Sequence, residues 1–315
     1  MSAVRIRAAT PDDDADVLEL LGRCLGWRAE DPMAEFFAWK HRESPFGRSP
    51  AWVAEDGGRL VGFRTFMRWS FDTEDGPLRA VRAVDTATDP AARGRGIFRE
   101  LTMSALEELT SDGVAFVFNT PNDQSRPGYL KMGWTPVGRL PLHTRVRVRP
   151  GSLARTARAR VPAERWSQAT SVGTPADAQR WRETDDPAGR PRDGLLRTAT
   201  SEEFMRWRFG FGPLRYRVVD TGGVPLVLRV RRRGPASELA VVRVPRSALP
   251  RVTGAAIASA LRDSGADYAA ALGARRPPRF VTLRSAGPLL TARALTVEPP
   301  PLERWDLQLS DVELF

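Results

Sequence analysis

The sequence predicts an α/β protein in two similar parts, each built on a mixed central sheet with helices on both faces. Three observations lead there. Apolar alternation and helix-start signals give residues 4–149 the order β-α-α-β-β-β-α-β-α-β. A Phe-x-x-Trp-basic segment followed by a Phe-Gly turn and a glycine hairpin occurs twice, at Phe36–Lys40 and again at Phe204–Arg208. The chain of 315 residues also exceeds one average domain of roughly 100–200 residues.

Val4–Arg7 alternates like a half-buried strand. Thr10-Pro11-Asp12-Asp13 is a helix start, with a capping hydroxyl, a proline suited to the first turn and acids facing the positive end of the dipole. That helix runs to Leu25, and a second covers Met33–His41. Strands follow at Ala51–Glu55 and Leu60–Trp69, joined by a hairpin turn at Asp56-Gly57-Gly58. Leu78–Thr88 is a longer strand ended by Asp89-Pro90. A helix over Gly96–Thr110, a short strand over Val114–Asn119, a short helix over Asp123–Met132 and a strand-like run over Thr135–Arg149 complete the first part. Residues 150–197 are rich in Pro, Gly, Ala and charge and read as a connector, with short helices at Leu153–Arg160 and Pro175–Trp181. The second part repeats the order: strands at Tyr216–Asp220, Leu226–Val230 and Leu239–Val244, a helix over Val252–Ser264, and strands at Tyr268–Leu272, Arg293–Val297 and Trp305–Leu309. The closing residues 305–315 alternate acid and apolar side chains and read as an edge strand.

Composition excludes several classes of function. Cys24 is the single cysteine, so neither an internal disulfide nor a cysteine-based metal cluster is available, and its place in the apolar rhythm of the first helix makes it a core residue. The two histidines, His41 and His143, lie in no ligand-spaced cluster, so no metal site is expected. No apolar run is long enough to cross a bilayer, and the first residues lack a signal peptide's apolar stretch; a cytoplasmic location is the expectation. The net charge of +10 points toward an acidic partner, but 46 of the 48 basic residues are Arg, alongside abundant Ala, Gly and Pro. That bias suits a high-GC coding background. The densest basic stretch, Arg139–Arg165, holds eight Arg and one acid and reads as a solvated connector before it reads as a nucleic-acid patch.

Chemistry concentrates at Asp85–Leu101. A strand ends, a basic glycine loop follows (Arg93-Gly94-Arg95-Gly96), and a helix begins at Ile97-Phe98. Glycines let the backbone approach a ligand closely. The unpaired N–H groups of a first helical turn favour phosphate, and Arg93 and Arg95 add bidentate donors. The pattern describes a pyrophosphate site. It is neither a Walker loop, since Gly-Lys-Ser/Thr is absent, nor a dinucleotide fingerprint, since Gly96 is followed by Ile97-Phe98-Arg99.

These residues resemble the GNAT acyl-CoA N-acyltransferase superfamily, whose pattern is Gln/Arg-x-x-Gly-x-Gly/Ala after a bulged strand. Gly94 and Gly96 fill the glycine places, while Ala91 stands where Gln or Arg is usual. A second likeness lies at Asn119–Trp134, which resembles the family's Asn-x-x-Ser/Ala-x-x-x-Tyr-x-Lys-x-Gly-Phe segment, with Tyr129 at the tyrosine place and Trp134 for Phe. The resemblance implies that Arg93, Gly94, Arg95, Gly96, Ile97 and Phe98 hold the pyrophosphate of acetyl-CoA or another acyl-CoA. It implies that Thr86, Ala87 and Thr88, on a strand that splays from its neighbour, supply an amide to the thioester carbonyl, and that Asn122, Ser125 and Lys131 lie beside the CoA arm. It further implies that Tyr129 protonates the leaving thiolate and that Asp85 serves as general base.

The expected organisation is thus a GNAT domain over residues 1–149, a connector over 150–197, and a second GNAT-like domain over 198–315. In the second domain Arg246–Arg251 replaces the pyrophosphate loop. The expected activity is acetyl transfer from CoA to a primary amine of a small molecule by direct attack. Trp39, His41 and Glu43 fall near the helix–loop that borders the acceptor in the family. Two alternatives belong to other classes: an aminoacyl-tRNA-dependent transferase, with Arg139–Arg165 against the RNA backbone, and an acyl-CoA-binding module without turnover.

Overall fold

The computed structural model describes residues 4–182 and 193–313. In chain order the elements are β1 (Arg5–Ala8), α1 (Asp14–Cys24), α2 (Met33–His41), β2 (Ala51–Asp56), β3 (Arg59–Thr73), β4 (Gly76–Thr88), α3 (Ile97–Ser111), β5 (Phe116–Asn119), α4 (Arg126–Lys131), β6 (Thr135–Arg139) and β7 (Leu142–Val146). They continue with α5 (Ser152–Arg158), β8 (Thr174–Pro175), β9 (Arg197–Thr198), α6 (Glu202–Gly210), β10 (Arg217–Asp220), β11 (Pro225–Arg233), β12 (Ala236–Arg243), α7 (Pro250–Asp263), β13 (Tyr268–Leu272), β14 (Val281–Leu283), β15 (Leu289–Ala294) and α8 (Leu309–Val312). Two compact units result: Met1–Phe71 with Pro77–Val137 and Leu290–Pro300, and Asp72–Gly76 with Gly138–Leu289 and Pro301–Phe315.

In the first unit the strands run β1-β2-β3-β4-β5-β15-β6 across the sheet. β3 is buried along most of its length because both faces of the sheet are covered. Val17, Leu20 and Leu21 of α1 pack with Val53, Leu60, Phe63 and Ala87 on one face. Ile97, Leu101, Ala105, Leu106 and Leu109 of α3 pack with Trp52, Val61, Phe66 and Val81 on the other. The β2–β3 hairpin closes through Gly57 and Gly58 at φ +59° and +80°, left-handed angles that suit the right-handed twist of paired strands.

The unit boundary does not fall at residue 149. The run 135–149 breaks at Leu140-Pro141, where proline cannot donate to a ladder. β6 joins the first sheet, and β7 pairs antiparallel with β13 of the second. β15, from near the end of the chain, takes the place beside β5, pairing Thr291 with Asn119 through Ala294 with Phe116.

The second unit's sheet runs β14-β7-β13-β12-β11-β10-β8. Ile257, Ala260 and Leu261 of α7 cover Leu226, Leu228, Leu239 and Val241. The expected connector is part of this unit. Ser152–Arg158 is helical, but Thr174–Pro175 pairs with β10 and no helix forms over 175–181; residues 183–192 lie outside the described set. Residues 305–313 are no edge strand either. Trp305 makes only an isolated bridge with Leu196, and Leu309–Val312 forms α8, with Ser310 and Asp311 buried, because Asp311 accepts from the Gln308 amide and caps a turn. The internal echo survives in packing. Phe36 lies 5.3 Å from Trp39 and Phe204 lies 5.7 Å from Trp207, and the next residue, Lys40 or Arg208, is a buried cation in both units.

No helix of the described residues is long and apolar enough to cross a membrane. Among them, no group of three or more His, Cys, Asp or Glu side chains is arranged to hold a metal ion.

Candidate active site

β4 is the strand on which the site is built. Its parallel ladder with β5 covers Val81–Val117 and Arg82–Phe118, yet β4 continues to Thr88. Ala83–Thr88 therefore run on beyond the ladder with β5, which ends at Asn119, and Thr86, Ala87 and Thr88 lie on this stretch. Thr86 Oγ1 donates to the Phe63 carbonyl and the Cys24 thiol donates to the Thr88 carbonyl. Burial pushes the Cys24 thiol up, so this cysteine is a packing residue in its protonated form.

The turn after β4 is fixed by Asp89. Its carboxylate caps a single 3₁₀ turn through the Ala91 amide at 2.9 Å and pairs with Arg59 at 3.1 Å and Arg23 at 3.3 Å. The loop then passes through Gly94 and Gly96 at φ +78° and +79°, and Gly96 is the N-cap of α3. It offers no side chain to the first-turn amides, which leaves those donors to a ligand. Arg93 is exposed, while Arg95 pairs with Asp56 at 2.6 Å. The start of α3 sits close on β3 because Gly62 lies beneath it; a Cβ there would come within 2.6 Å of Ile97 Cγ2. This packing contributor carries no signal in the sequence, since Gly62 marks no turn.

α4 places Tyr129 against the same helix start. Pro127 is accepted because it lies in the first turn, where no intrahelical N–H is required. Asn122 Oδ1 accepts from the Ser125 amide and hydroxyl, both at 2.9 Å, fixing the turn before α4. Lys131 is exposed at its other end. Tyr129 is buried, 5.6 Å edge-on to Phe98 and 5.1 Å from Trp134. Its hydroxyl accepts from Arg64 Nη1 at 2.8 Å. Two residues that sequence reasoning placed in one site, Phe98 and Tyr129, are thus in direct contact; Arg64 was missed, although a charge inside the apolar run of β3 was a visible signal.

Asp85 is not a free carboxylate. Lys40 Nζ stands 2.9 Å from it and His41 Nε2 2.8 Å, with Lys40 and His41 both buried. Burial alone would raise the Asp85 carboxyl, but the Lys40 charge and the His41 hydrogen bond outweigh it and hold the group well below the carboxylate range. A carboxylate so held is a weak proton acceptor. Burial pushes His41 down, against the pull of Asp85, so the ring is neutral at pH 7. A carboxylate only accepts, so Nε2 carries the proton, and Nδ1 accepts from the Ser49 hydroxyl at 3.1 Å. His41 and Ser49 line a cleft of about 370 Å³ whose walls include Phe37, Trp52, Phe63 and Thr65.

The two histidines make a test of this burial. His143 is also buried, donating to the Gly273 carbonyl, and burial holds it below its ordinary value. The unfolded chain therefore binds more protons than the native one. The stability of the neutral rings is fully present above the unfolded value of about 6.5 and is lost as pH falls through it. The urea unfolding midpoint should drop between about pH 7 and 5, and a His41→Gln/His143→Gln variant should show a flatter slope across that window. Equal slopes would show that the rings take up protons alike in the native and unfolded states.

The second unit lacks this arrangement. The parallel pairing of β12 with β13 ends at Val241–Ala271. Beyond it the Gln308 carboxamide accepts from the Val244 amide at 2.7 Å and donates to the Val244 carbonyl at 3.1 Å. Leu307 is packed so tightly on Gly273 that a Cβ there would meet its carbonyl at 2.2 Å. Arg246 of the segment replacing the loop is turned onto Asp306 at 3.0 Å. Part of the basic stretch is also engaged: Arg139 donates to the Gly287 carbonyl and Arg155 pairs with Asp267.

Comparison with known proteins agrees with this geometry. Residues 5–137 match the family model described as an acetyltransferase (GNAT) domain. Residues 5–137 thus carry a GNAT domain. A mycothiol acetyltransferase of Nocardia farcinica is 28% identical over 143 residues, 41% of this chain and 44% of that protein. The chain thus spans less than half the length of this curated relative. Two solved structures share the fold along most of this chain. A probable N-acyltransferase of Enterococcus faecalis has a TM-score of 0.65 at 12% identity, covering 94% of this chain and 74% of its own. A GCN5-related N-acetyltransferase of Kribbella flavida has a TM-score of 0.57 at 16% identity, covering 93% and 72%.

Proposed function

We propose that this protein transfers an acetyl group from acetyl-CoA to a primary amine of a small molecule, using one site in its first unit. The observation that carries the reading is the end of β4 that runs beyond its ladder with β5, immediately before a helix start capped by Gly96. This end of β4 offers backbone groups to the acyl arm, and the first-turn amides of α3, with Arg93 and Arg95, offer donors to the pyrophosphate. Asn122, Ser125 and Lys131 border the arm from the α4 side.

The acceptor enters the cleft lined by His41 and Ser49, a size suited to a small molecule. Its nitrogen lone pair attacks the thioester carbonyl, the C–N bond forms and the C–S bond breaks, with Tyr129 giving its proton to the departing sulfur. The attacking nitrogen loses a proton through Ser49 to the neutral His41 Nδ1. Asp85 acts as the base by way of His41, holding the ring's other nitrogen protonated and favouring the imidazolium that forms. The likeness to a mycothiol acetyltransferase supports a small acceptor, and the internal engagement of Arg139 and Arg155 favours it over an RNA.

Calorimetric titration of the full chain with acetyl-CoA tests the reading. One molecule should bind per chain, because the second unit has Arg246–Arg251 in place of the glycine loop and Gln308 engages the Val244 backbone groups there. Absence of binding would remove the acyl-CoA site, and a stoichiometry of two would refute the division of labour between the units.

A further inference from the structure

Arg64 lies on β3 with 0% of its surface exposed. Its guanidinium carbon stands 4.4 Å from the ring centre of Phe66, 5.3 Å from Tyr129 and 5.5 Å from Phe98. Nη1 donates to the Tyr129 hydroxyl at 2.8 Å, while Nε and Nη2 have no hydrogen-bond partner among the described residues. Buried Lys40, by contrast, faces Asp85. A buried cation without a counter-charge is costly, and its aromatic surround only partly offsets that cost. Such a charge has a use where an anion appears during turnover.

We propose that Arg64 is a positioning residue for Tyr129, aiming its proton at the departing sulfur and receiving the phenolate left behind. The inference rests on the reading of Tyr129 as the acid. Because the Tyr129 oxygen accepts from Arg64, its own hydrogen is directed to another acceptor. When the C–S bond breaks, the electron pair stays on sulfur, the O–H bond of Tyr129 breaks and an S–H bond forms. The negative charge moves to the phenolic oxygen, where the guanidinium hydrogen bond becomes charge-assisted. The phenolate regains a proton from water, which balances the one released by the acylated nitrogen.

The test uses the full chain and thiol release from acetyl-CoA, with glucosamine and lysine as amine probes and water as acceptor if neither turns over. Arg64→Met should lower kcat by at least ~10-fold and leave acetyl-CoA affinity unchanged, and Arg64→Lys should recover part of the loss. In a Tyr129→Phe background, Arg64→Met should cost nothing further, since the two act as one unit. Additive losses, or a loss confined to acetyl-CoA affinity, would overturn the proposal and mark Arg64 as a packing residue. If Arg64→Met fails to fold, the same cycle is read with Arg64→Lys. Full turnover in Tyr129→Phe alone would instead refute the acid role of Tyr129, an outcome distinct from failure of the Arg64 cycle.

Discussion

Tyr129→Phe should bind acetyl-CoA as tightly as the parent chain and lose about 10²-fold or more in kcat, the range a positioned general acid supplies. The ring is held by Phe98 and Trp134, contacts that do not involve the hydroxyl. Phenylalanine therefore keeps the packing between α4 and α3 and removes one oxygen. Affinity measured by calorimetry separates the two possible effects: a variant that loses turnover and affinity together has lost the fold of α4, not the proton donor. A variant that keeps its turnover shows that the sulfur leaves without help from this side chain.

Gly94→Val/Gly96→Val should abolish useful acetyl-CoA binding while the chain stays folded. Both positions lie at φ near +80°, and nothing stands within 4 Å of an added Cβ at either. The penalty is therefore one of backbone conformation and not of collision. A left-handed angle costs a non-glycine residue about 1–2 kcal/mol at each position, and more for a β-branched one. The loop relaxes to other angles and turns its amides off the ligand, so the expected loss is about 10²-fold in affinity. Circular dichroism and the thermal midpoint should stay close to the parent, because the loop is exposed at Arg93, Gly94 and Gly96 and contributes little to the core. Unchanged affinity would mean that the pyrophosphate is held elsewhere.

The elements of this protein that depend on near neighbours were legible in its sequence. The Asp56-Gly57-Gly58 hairpin, the glycine loop before α3 and the placing of Tyr129 on a short helix all follow from side-chain type over a few residues. So does the Phe-x-x-Trp pairing repeated in α2 and α6. Other features required the tertiary structure. Arg64 and Tyr129 are 65 residues apart, and Thr291 and Asn119 are 172 apart. Asp85 was visible as a carboxylate on the strand before the glycine loop, but whether it is a free base or an anchored anion depended on which cations α2 brings to it. The closing residues alternate as a strand does, yet they turn into α8 because Gln308 meets Val244 and Asp311 caps the turn. Backbone preference acts over one turn or one hairpin and is written locally, whereas the protonation and pairing of buried groups are set by whatever else is desolvated beside them, which only the assembled fold decides.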